Sequence, residues 1–257
     1  MSVYEKTYTD SFYSLVDATA VGSADVVTGL MVELMHPASV VDVGCGTGAW
    51  LVAFQRRGVA DVFGVDGDWV KPEKLLISPN EFLSYDLTKR LQLNRRFDLA
   101  ISLEVGEHLP ASSAQTLVQS LVALSDVVLF SAAVPDQGGY HHVNEQWPEY
   151  WAKLFSLNGY VPVDYIRNKV WDDPRVTWWY AQNILIYVAE SRLHDYPALK
   201  PHQVRNQSPV LTRIHPRFFS LVTSEQTVRK AAGALLRALS RSISFRLSRA
   251  FRRRAKS

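Results

Sequence analysis

Apolar residues occur along the chain in two patterns, short runs typical of buried strands and longer segments with helical spacing. Val-rich and Ile-rich runs bounded by polar or glycine residues predict strands, and amphipathic segments between them predict helices. The predicted strands are ASVVDVG, DVFGVD, EFLSYDL, FDLAISL, DVVLFSAAV, YVPVDYI and QNILIYVA. The predicted helices are residues 9–35, GAWLVAFQRRG, SAQTLVQSLVAL and PEYWAKLFSLNGY. This alternation predicts an α/β fold built on a mostly parallel sheet.

The same pattern divides the chain into four parts. Residues 1–35 form a predicted N-terminal helical cap, and residues 36–190 form the α/β domain. The segment WDDPRVTWWY within that domain is predicted to be a loop, because it is polar and rich in turn-forming residues. Residues 191–228 are a connector rich in Pro, Asn and His, and residues 229–257 are a basic tail.

Charge is distributed unevenly between the body and the tail. Residues 229–257 contain ten of the 28 Lys and Arg residues and no Asp or Glu, which leaves 18 basic against 25 acidic side chains in the rest. The protein is therefore predicted to be an acidic globular body with a basic extension. With a single cysteine, Cys45, no secretory signal and no apolar stretch long enough to span a bilayer, it is expected to be cytoplasmic.

The first predicted strand leads into a glycine-rich loop, VVDVGCGTGAW. Glycines at positions 44, 46 and 48 allow the backbone to approach a ligand, and the helix that follows presents free N–H groups. Asp66 ends the next strand 20 residues after Gly46, where an acid can hold a ribose. Asp42 precedes the loop; an acid there is a poor neighbour for a phosphate and a good one for a cationic or amino-bearing ligand.

This stretch resembles motif I of the class I S-adenosylmethionine (SAM)-dependent methyltransferases, and the resemblance extends over roughly residues 35–190. It implies SAM as the cofactor and a doubly wound, Rossmann-like sheet of about seven mostly parallel strands with the last strand antiparallel. It also implies that Asp66 holds the ribose hydroxyls, that Asp86 contacts the adenine amino group, and that the FDLAISLEVGEHL strand ends beside the methyl donor. The implied cofactor-binding residues are Asp42, Gly44, Gly46, Gly48, Asp66, Asp86, Leu87 and Leu103.

The end of that fourth strand carries Glu104, Glu107 and His108 in an E-x-x-E-H pattern. The pattern is similar to segments of the ubiquinone-pathway O-methyltransferases and the small-RNA 2′-O-methyltransferases, which hold a divalent metal at this point. A bound Mg²⁺ or Mn²⁺ would lower the pKa of an acceptor hydroxyl and orient it. The alternative is that this segment only caps the next helix and lines the SAM pocket.

A second polar segment, YHHVNEQW, follows the fifth strand, where the family places acceptor-binding groups. A histidine is the natural general base for a hydroxyl, and we favour His142 over His141, although the sequence does not decide between them. The predicted catalytic residues are His142, Glu107 and His108. The predicted metal ligands are Glu104, Glu107, His108 and His142. The alternative is a surface loop that ends in a helix cap before Pro148.

Aromatic residues concentrate in the second half of the α/β domain and include Trp147, Trp171 and Trp178. Aromatic rings stack on the apolar faces of sugars and on planar groups. We therefore expect WDDPRVTWWY to cover the acceptor pocket, with Asp172, Asp173 and Arg175 available to sugar hydroxyls. The alternative is that most of these rings belong to the core.

The tail repeats an apolar residue every four positions. The repeated residues are Leu235, Leu239, Ile243, Leu247 and Phe251. With basic residues between them, this spacing is typical of an amphipathic helix that binds an anionic membrane surface. Nucleic acid is the rival partner, and a solvated end is the third possibility.

Together these patterns predict a SAM-dependent O-methyltransferase that acts on a hydroxyl of a small molecule or of a glycan. The acidic body disfavours a nucleic-acid substrate held along its backbone. Three alternatives remain open: a metal-dependent RNA 2′-O-methyltransferase, an N- or C-methyltransferase of a small metabolite, and a catalytically silent module that anchors a partner at a membrane.

Overall fold

A computed structural model of the chain describes residues 10–204 and 210–224 together with residues 228 and 235. The chain divides into two compact units, Met1–His215 and Pro216–Ser257. The strands of the first unit are β1 (Ser39–Val43), β2 (Asp61–Asp66), β3 (Phe82–Ser84), β4 (Leu99–Leu103), β5 (Val127–Ser131), β6 (Tyr160–Val163) and β7 (Leu185–Ala189). Its helices are α1 (Asp10–Met35), α2 (Ala49–Gln55), α3 (Ala114–Leu124), α4 (Pro148–Ser156), α5 (Arg167–Val170) and α6 (Trp178–Asn183).

The strands form one seven-stranded sheet in the order β3-β2-β1-β4-β5-β7-β6. Strands β1 to β5 pair in parallel, and β7 pairs antiparallel with both β5 and β6. The predicted fold class, with its antiparallel final strand, is therefore confirmed. Parallel strands align their carboxyl ends, so the loops after β1 to β5 meet at one edge of the sheet.

Both faces of the sheet are covered, which explains the unbroken apolar runs of the central strands. On one face Val40 and Leu99 pack in the same core as Met31 of α1 and Phe54 of α2. On the opposite face a second core combines alternate strand residues with helices α3 and α4. It includes Val41, Ala100, Val128, Leu117, Leu121, Trp151 and Phe155.

The segment predicted to be a loop, WDDPRVTWWY, is helical in its last part. Helix α6 begins at Trp178, and both Val176 and Tyr180 are buried. The Tyr180 ring packs edge-on against Trp50, and the backbone N–H of Thr177 donates to the Ser23 hydroxyl at 2.9 Å. Packing against α1 and α2 overrides the turn-like composition of this segment.

The compact body continues beyond residue 190, where the connector was predicted to begin. Leu199 and Leu211 are fully buried, and Gln203 forms an antiparallel bridge with Val163 of the edge strand β6. The first unit therefore includes residues 191–204 and 210–215. The predicted basic tail, 229–257, lies outside the described residues except for Leu235.

The second unit is helical over residues 216–224 and at residues 228 and 235. Its exposed apolar side chains are Phe219, Leu221, Val228 and Leu235. Within the described part of the chain, no helix combines the length and the apolar character needed to cross a bilayer.

Candidate active site

The loop between β1 and α2 requires glycine for steric reasons. Gly44, Gly46 and Gly48 all have positive φ angles, of 90°, 53° and 93°. A Cβ atom at Gly44 would lie 2.3 Å from Cγ2 of Val105, in the loop after β4. The backbone after β1 therefore lies directly against the loop after β4, which no other residue at position 44 allows.

Asp66 at the end of β2 fixes the shape of this glycine loop. Its carboxylate is buried and accepts the N–H of Gly46 at 2.7 Å and the N–H of Gly67 at 2.6 Å. Burial raises the pKa of Asp66, and these backbone hydrogen bonds oppose the rise. Asp42 is also buried, and burial together with the Asp66 charge raises its pKa well above the usual value.

Cys45 lies within the same loop as a free, buried thiol. Burial raises the pKa of Cys45 well above its usual value, and the neighbouring charges of Asp66 and Asp42 raise it further. A thiol in such a setting stays protonated and is a poor nucleophile.

The remaining predicted cofactor residues follow β3 and end β4. Leu87 is buried, whereas Asp86 is exposed and accepts hydrogen bonds from the Thr88 hydroxyl at 2.6 Å and the Thr88 N–H at 3.0 Å. These bonds lower the pKa of Asp86. Leu103, the last residue of β4, is buried. The predicted cofactor residues thus lie at the carboxyl ends of four adjacent parallel strands.

Glu104 directly follows β4 with a left-handed backbone, at a φ of 54°, which is uncommon for a residue other than glycine. Its N–H donates to the carbonyl of Ser131 at the end of β5, at 3.0 Å. Its carboxylate accepts the side-chain amides of Gln137, at 2.9 Å, and Asn183, at 3.1 Å. Burial raises the pKa of Glu104, and the hydrogen bonds from Asn183, Ser131 and Gln137 oppose the rise.

Glu107 and His108 lie one turn further on, in a short 3₁₀ turn. The Glu107 side chain is fully buried, and neither of its oxygens has a hydrogen-bond partner among the described residues. Burial raises the pKa of Glu107 well above the usual value, and the charge of Glu104 raises it further. Burial also lowers the pKa of His108 to about 4, with a further contribution from His142, and its Nδ1 is likewise without a partner in the described part of the chain.

Three side chains from two loops converge at this point. One potential ligand atom from each of Glu107, His108 and His142 lies within 4.8 Å of the other two. The His108 and His142 rings are perpendicular, with centroids 4.9 Å apart. The structure thus brings together three of the four predicted metal ligands. Glu104 lies outside this group, with its carboxylate bound by the two amides.

Glu145 holds the His142 ring in place. Its carboxylate is 2.8 Å from Nδ1 of His142 and also accepts the backbone N–H groups of Asp136, at 2.9 Å, and Gly138, at 2.8 Å. Because a carboxylate can only accept here, Nδ1 carries a proton, which leaves Nε2 as the ring nitrogen whose lone pair can accept one. His141 differs, since its exposed ring packs on Tyr140 with centroids 4.6 Å apart.

Backbone hydrogen bonds connect the His142 loop to the Glu107 turn. The N–H groups of Val143 and Asn144 both donate to the Glu107 carbonyl, at 2.8 and 3.0 Å. The Asn144 side chain is buried and donates to the Gly106 carbonyl at 3.3 Å. His142 and Glu107 therefore belong to one rigid assembly, although 35 positions separate them in sequence.

Two surface cavities are lined by other residues, although Gln146, which lines the second of them, donates to the Asn144 side chain at 3.0 Å. One, of about 470 Å³, runs along residues 168–175, where Asp173 and Arg175 form an ion pair with each other at 2.6 Å. The other, of about 560 Å³, is lined by Gln146, Trp147, Glu149, Tyr150 and Thr212. The charged side chains expected to bind sugar hydroxyls thus include two that already pair with each other.

Sequence reasoning missed the hydrogen-bonding roles of Glu145, Gln137 and Asn183. The three-residue spacing of His142 and Glu145 is a usable signal, because it allows a local side-chain pair. Gln137 and Asn183 carry no such signal, since each reaches Glu104 only through the folding of the sheet.

Several solved structures share this fold at low sequence identity. DesVI of Streptomyces venezuelae is 14% identical with a TM-score of 0.54, over 73% of this chain and 99% of that one. An O-methyltransferase family protein from Burkholderia thailandensis is 13% identical with a TM-score of 0.52, over 72% and 61%. TnmH is 16% identical with a TM-score of 0.50, over 74% and 62%.

Sequence comparison adds the family. None of the curated protein sequences compared with the chain matches it significantly. The sequence profile of the family described as "Methyltransferase domain" matches residues 24–181, which is more than half of the chain and contains β1 to β6 with the loops described above. The protein is therefore a member of the methyltransferase-domain family of class I, SAM-dependent enzymes.

Proposed function

We propose that this enzyme transfers the methyl group of SAM to a hydroxyl of a small molecule or of a glycan unit. The observation that carries the proposal is the hydrogen bond between Glu145 and Nδ1 of His142, which leaves Nε2 as a proton acceptor beside the carboxyl ends of β4 and β5. The Burkholderia thailandensis neighbour is an O-methyltransferase family protein, but at 13% identity it supports the fold alone.

The cofactor is assigned to the glycine loop and to the acids around it. Gly44, Gly46 and Gly48 would admit the methionine part of SAM, Asp66 the ribose, and Asp86 with Leu87 the adenine. The positively charged sulfonium and ammonium groups of SAM would favour the charged forms of the buried acids Asp42 and Asp66, whose pKa values burial raises in the protein alone.

The chemical step is a direct displacement at the methyl carbon. Bound SAM would supply an electrophilic methyl group: the acceptor hydroxyl oxygen would bond to the methyl carbon as its bond to sulfur breaks, and the electron pair of that bond would remain on sulfur. The acceptor proton passes to Nε2 of His142. The imidazolium that forms is stabilised by the Glu145 carboxylate, in the manner of other histidine–carboxylate pairs. Such general-base catalysis contributes about 10²–10⁴-fold in rate.

Cofactor binding is tested by titration calorimetry with SAM and S-adenosylhomocysteine. Asp66→Ala should weaken both by about 1–3 kcal/mol, because it removes the acceptor of two loop N–H groups and of the ribose. Asp173→Ala removes a half-buried carboxylate that pairs with Arg175, outside the glycine loop, and serves as the control. Wild-type protein that binds no SAM at millimolar concentration would contradict the assignment.

Catalysis is tested with SAM labelled in the methyl group and a panel of hydroxyl acceptors. The panel contains catechol, glucose, rhamnose and the nucleoside-diphosphate derivatives of the two sugars. His142→Ala should lower kcat by about 10²–10⁴-fold and leave the affinity for SAM unchanged. His141→Ala is the matched control, with an exposed imidazole in the same loop. A normal rate in His142→Ala with loss of activity in His141→Ala would mean that His141 is the base. Normal rates in both single variants and in the double variant would remove this loop from the mechanism.

A metal-assisted version is the second candidate, favoured by the convergence of Glu107, His108 and His142. Buried atoms of Glu107 and His108 have no hydrogen-bond partner among the described residues. These residues would hold the ion, with a mixed carboxylate and imidazole donor set that suits Mn²⁺ or Zn²⁺ better than Mg²⁺. The ion would lower the pKa of the acceptor hydroxyl. EDTA should then abolish turnover and Mn²⁺ should restore it, whereas full activity in EDTA would leave the base mechanism alone.

We further propose that the basic segment 229–257 attaches the acidic body to an anionic membrane surface. The support is its ten basic residues without an acid, together with the exposed Val228 and Leu235. Full-length protein should sediment with phosphatidylglycerol vesicles at low salt, and deletion of 229–257 should abolish this while SAM binding remains. Equal sedimentation of the two proteins would contradict the proposal.

A further inference from the structure

Helix α6 ends in two consecutive side-chain amides that are both almost completely buried. Gln182 and Asn183 are 1% and 4% exposed. Buried amides are costly unless their donors and acceptors are paired. Here Nε2 of Gln182 donates to Oδ1 of Asn183 at 3.0 Å, so the two side chains form consecutive members of one chain of hydrogen bonds.

One end of this chain is at the catalytic edge. Nδ2 of Asn183 donates to Oε1 of Glu104 at 3.1 Å and to Oε1 of Gln137 at 2.9 Å. Nε2 of Gln137 in turn donates to Oε2 of Glu104 at 2.9 Å. The three side chains form a closed ring that fixes both carboxylate oxygens of Glu104.

The other end is anchored in the segment 210–215, which follows the last strand of the sheet. The N–H of His215 donates to Oε1 of Gln182 at 2.8 Å. Arg167, whose side chain is fully buried, binds both Asp164, at 2.7 Å, and the carbonyl of Leu211, at 2.7 Å. A charged anchor thus holds the segment that orients Gln182.

The family profile ends at residue 181, so Gln182, Asn183 and the segment 210–215 all lie beyond the matched region. We propose that Asn183 is a positioning residue for the reaction: the hydrogen-bond chain from His215 through Gln182 and Asn183 holds the Glu104 carboxylate beside Glu107. The segment 210–215 is then a structural support of the active site. This inference rests on the proposed function.

A double-mutant cycle on the full-length protein tests the inference, with the best acceptor of the panel above. Asn183→Leu should lower kcat by about 10- to 100-fold, and Gln182→Met, one step further away, by about 3- to 10-fold. In the Glu104→Gln background, Asn183→Leu should change kcat by less than about two-fold, because the two residues act as one unit. Additive effects in the cycle would overturn the proposal.

The control is Asn158→Leu, which removes an amide that donates to the Leu154 carbonyl at 2.8 Å, at the end of α4. It should leave kcat unchanged even where it lowers the melting temperature. SAM affinity should stay constant across the series. A fall in kcat for Asn158→Leu equal to that for Asn183→Leu would mean that general destabilisation explains both.

A second measurement does not depend on turnover. In protein labelled with ¹³C at the glutamate carboxyl carbons, the Glu104 resonance is identified by its loss in Glu104→Gln. It should shift in Asn183→Leu and in Gln182→Met, and stay in place in Asn158→Leu. If wild-type protein methylates no acceptor, the proposed function fails, but the Glu104 resonance still tests the hydrogen-bond chain. A Glu104 chemical shift that is unchanged in Asn183→Leu would overturn that chain.

Discussion

The loops at the carboxyl ends of the parallel strands form two halves that differ in how their buried polar groups are paired. On the cofactor side, the Asp66 carboxylate accepts two backbone N–H groups, and the glycine loop is completed by backbone hydrogen bonds to Val65. On the catalytic side, both oxygens of Glu107 and Nδ1 of His108 are buried without partners among the described residues.

This difference teaches what each half requires. A loop whose polar groups are paired internally keeps its shape before the ligand arrives, which is the property expected of a preformed cofactor site. Buried carboxylate and imidazole atoms without partners cost free energy, and such costs persist where a ligand, an ion or the reaction needs those atoms. Under the proposed function, the side that carries Glu107 and His108 is therefore the half in which stability and activity conflict.

The largest effect is expected from Gly44→Ala on the cofactor side. The added Cβ would meet Val105 at 2.3 Å at a φ of 90°, so we expect a loss of about 2–5 kcal/mol in the free energy of unfolding, from strain and overpacking. Denaturant titration measures the loss, and calorimetry should show no SAM binding.

Gly58→Ala is the matched control for that change. Gly58 has nearly the same φ, 91°, but a Cβ there would meet no atom within 4 Å. It should lose only about 1–2 kcal/mol, the conformational part of the cost. Equal losses at the two positions would show that close contact with Val105 does not shape the cofactor loop.

An intermediate effect is expected from Glu145→Gln on the catalytic side. The amide cannot stabilise an imidazolium at His142 as a carboxylate does, so kcat should fall by about 10- to 100-fold with the SAM affinity unchanged. Glu149→Gln is the control, because Glu149 lies four positions away and binds only the Thr212 hydroxyl in the described contacts. Equal kcat values for the two variants would argue against a role for Glu145 in orienting the base.

The smallest effect is a gain of stability in Glu107→Gln. The pKa of Glu107 is raised in the folded protein by burial and by Glu104. The unfolded chain therefore loses this proton at lower pH than the folded protein, so wild-type stability falls as pH rises from the ordinary glutamate value, about 4.3, to the raised one. The variant lacks this loss and should be more stable by about 0.5–2 kcal/mol above that window.

Thermal unfolding of both proteins across the pH range checks this sign. The difference between the variant and the wild type should grow as pH rises above about 4.3 and then level off. A stability difference between Glu107→Gln and wild type that is constant with pH would mean that the Glu107 charge does not cause the loss of stability. Activity should fall in the same variant, which would complete the contrast between the two halves.

Much of the fold followed from the pattern of the chain. The seven strands and helices α1 to α4 lie where apolar runs and amphipathic segments predicted them, because burial on both faces demands continuous apolar strands, whereas the short helix α5 was not predicted. The exceptions are local: α6 forms where WDDPRVTWWY indicated a loop, and residues beyond 190 pack into the body. In both cases contacts with distant segments, from Ser23 to Thr177 and from Arg167 to Leu211, outweigh local composition.

The sequence by itself predicted the class of protein and the glycine loop to which the cofactor is proposed to bind. The glycines and Asp66 interact through the backbone within about 20 residues, so their spacing can be recognised in the sequence alone. Only the tertiary structure showed how the residues proposed for catalysis are arranged. It packed the His142 ring on His108, grouped Glu107 with these two histidines, and joined Asn183 to Glu104. The physical reason is that these contacts depend on which loops the parallel strands bring together, and strand order is a property of the whole sheet.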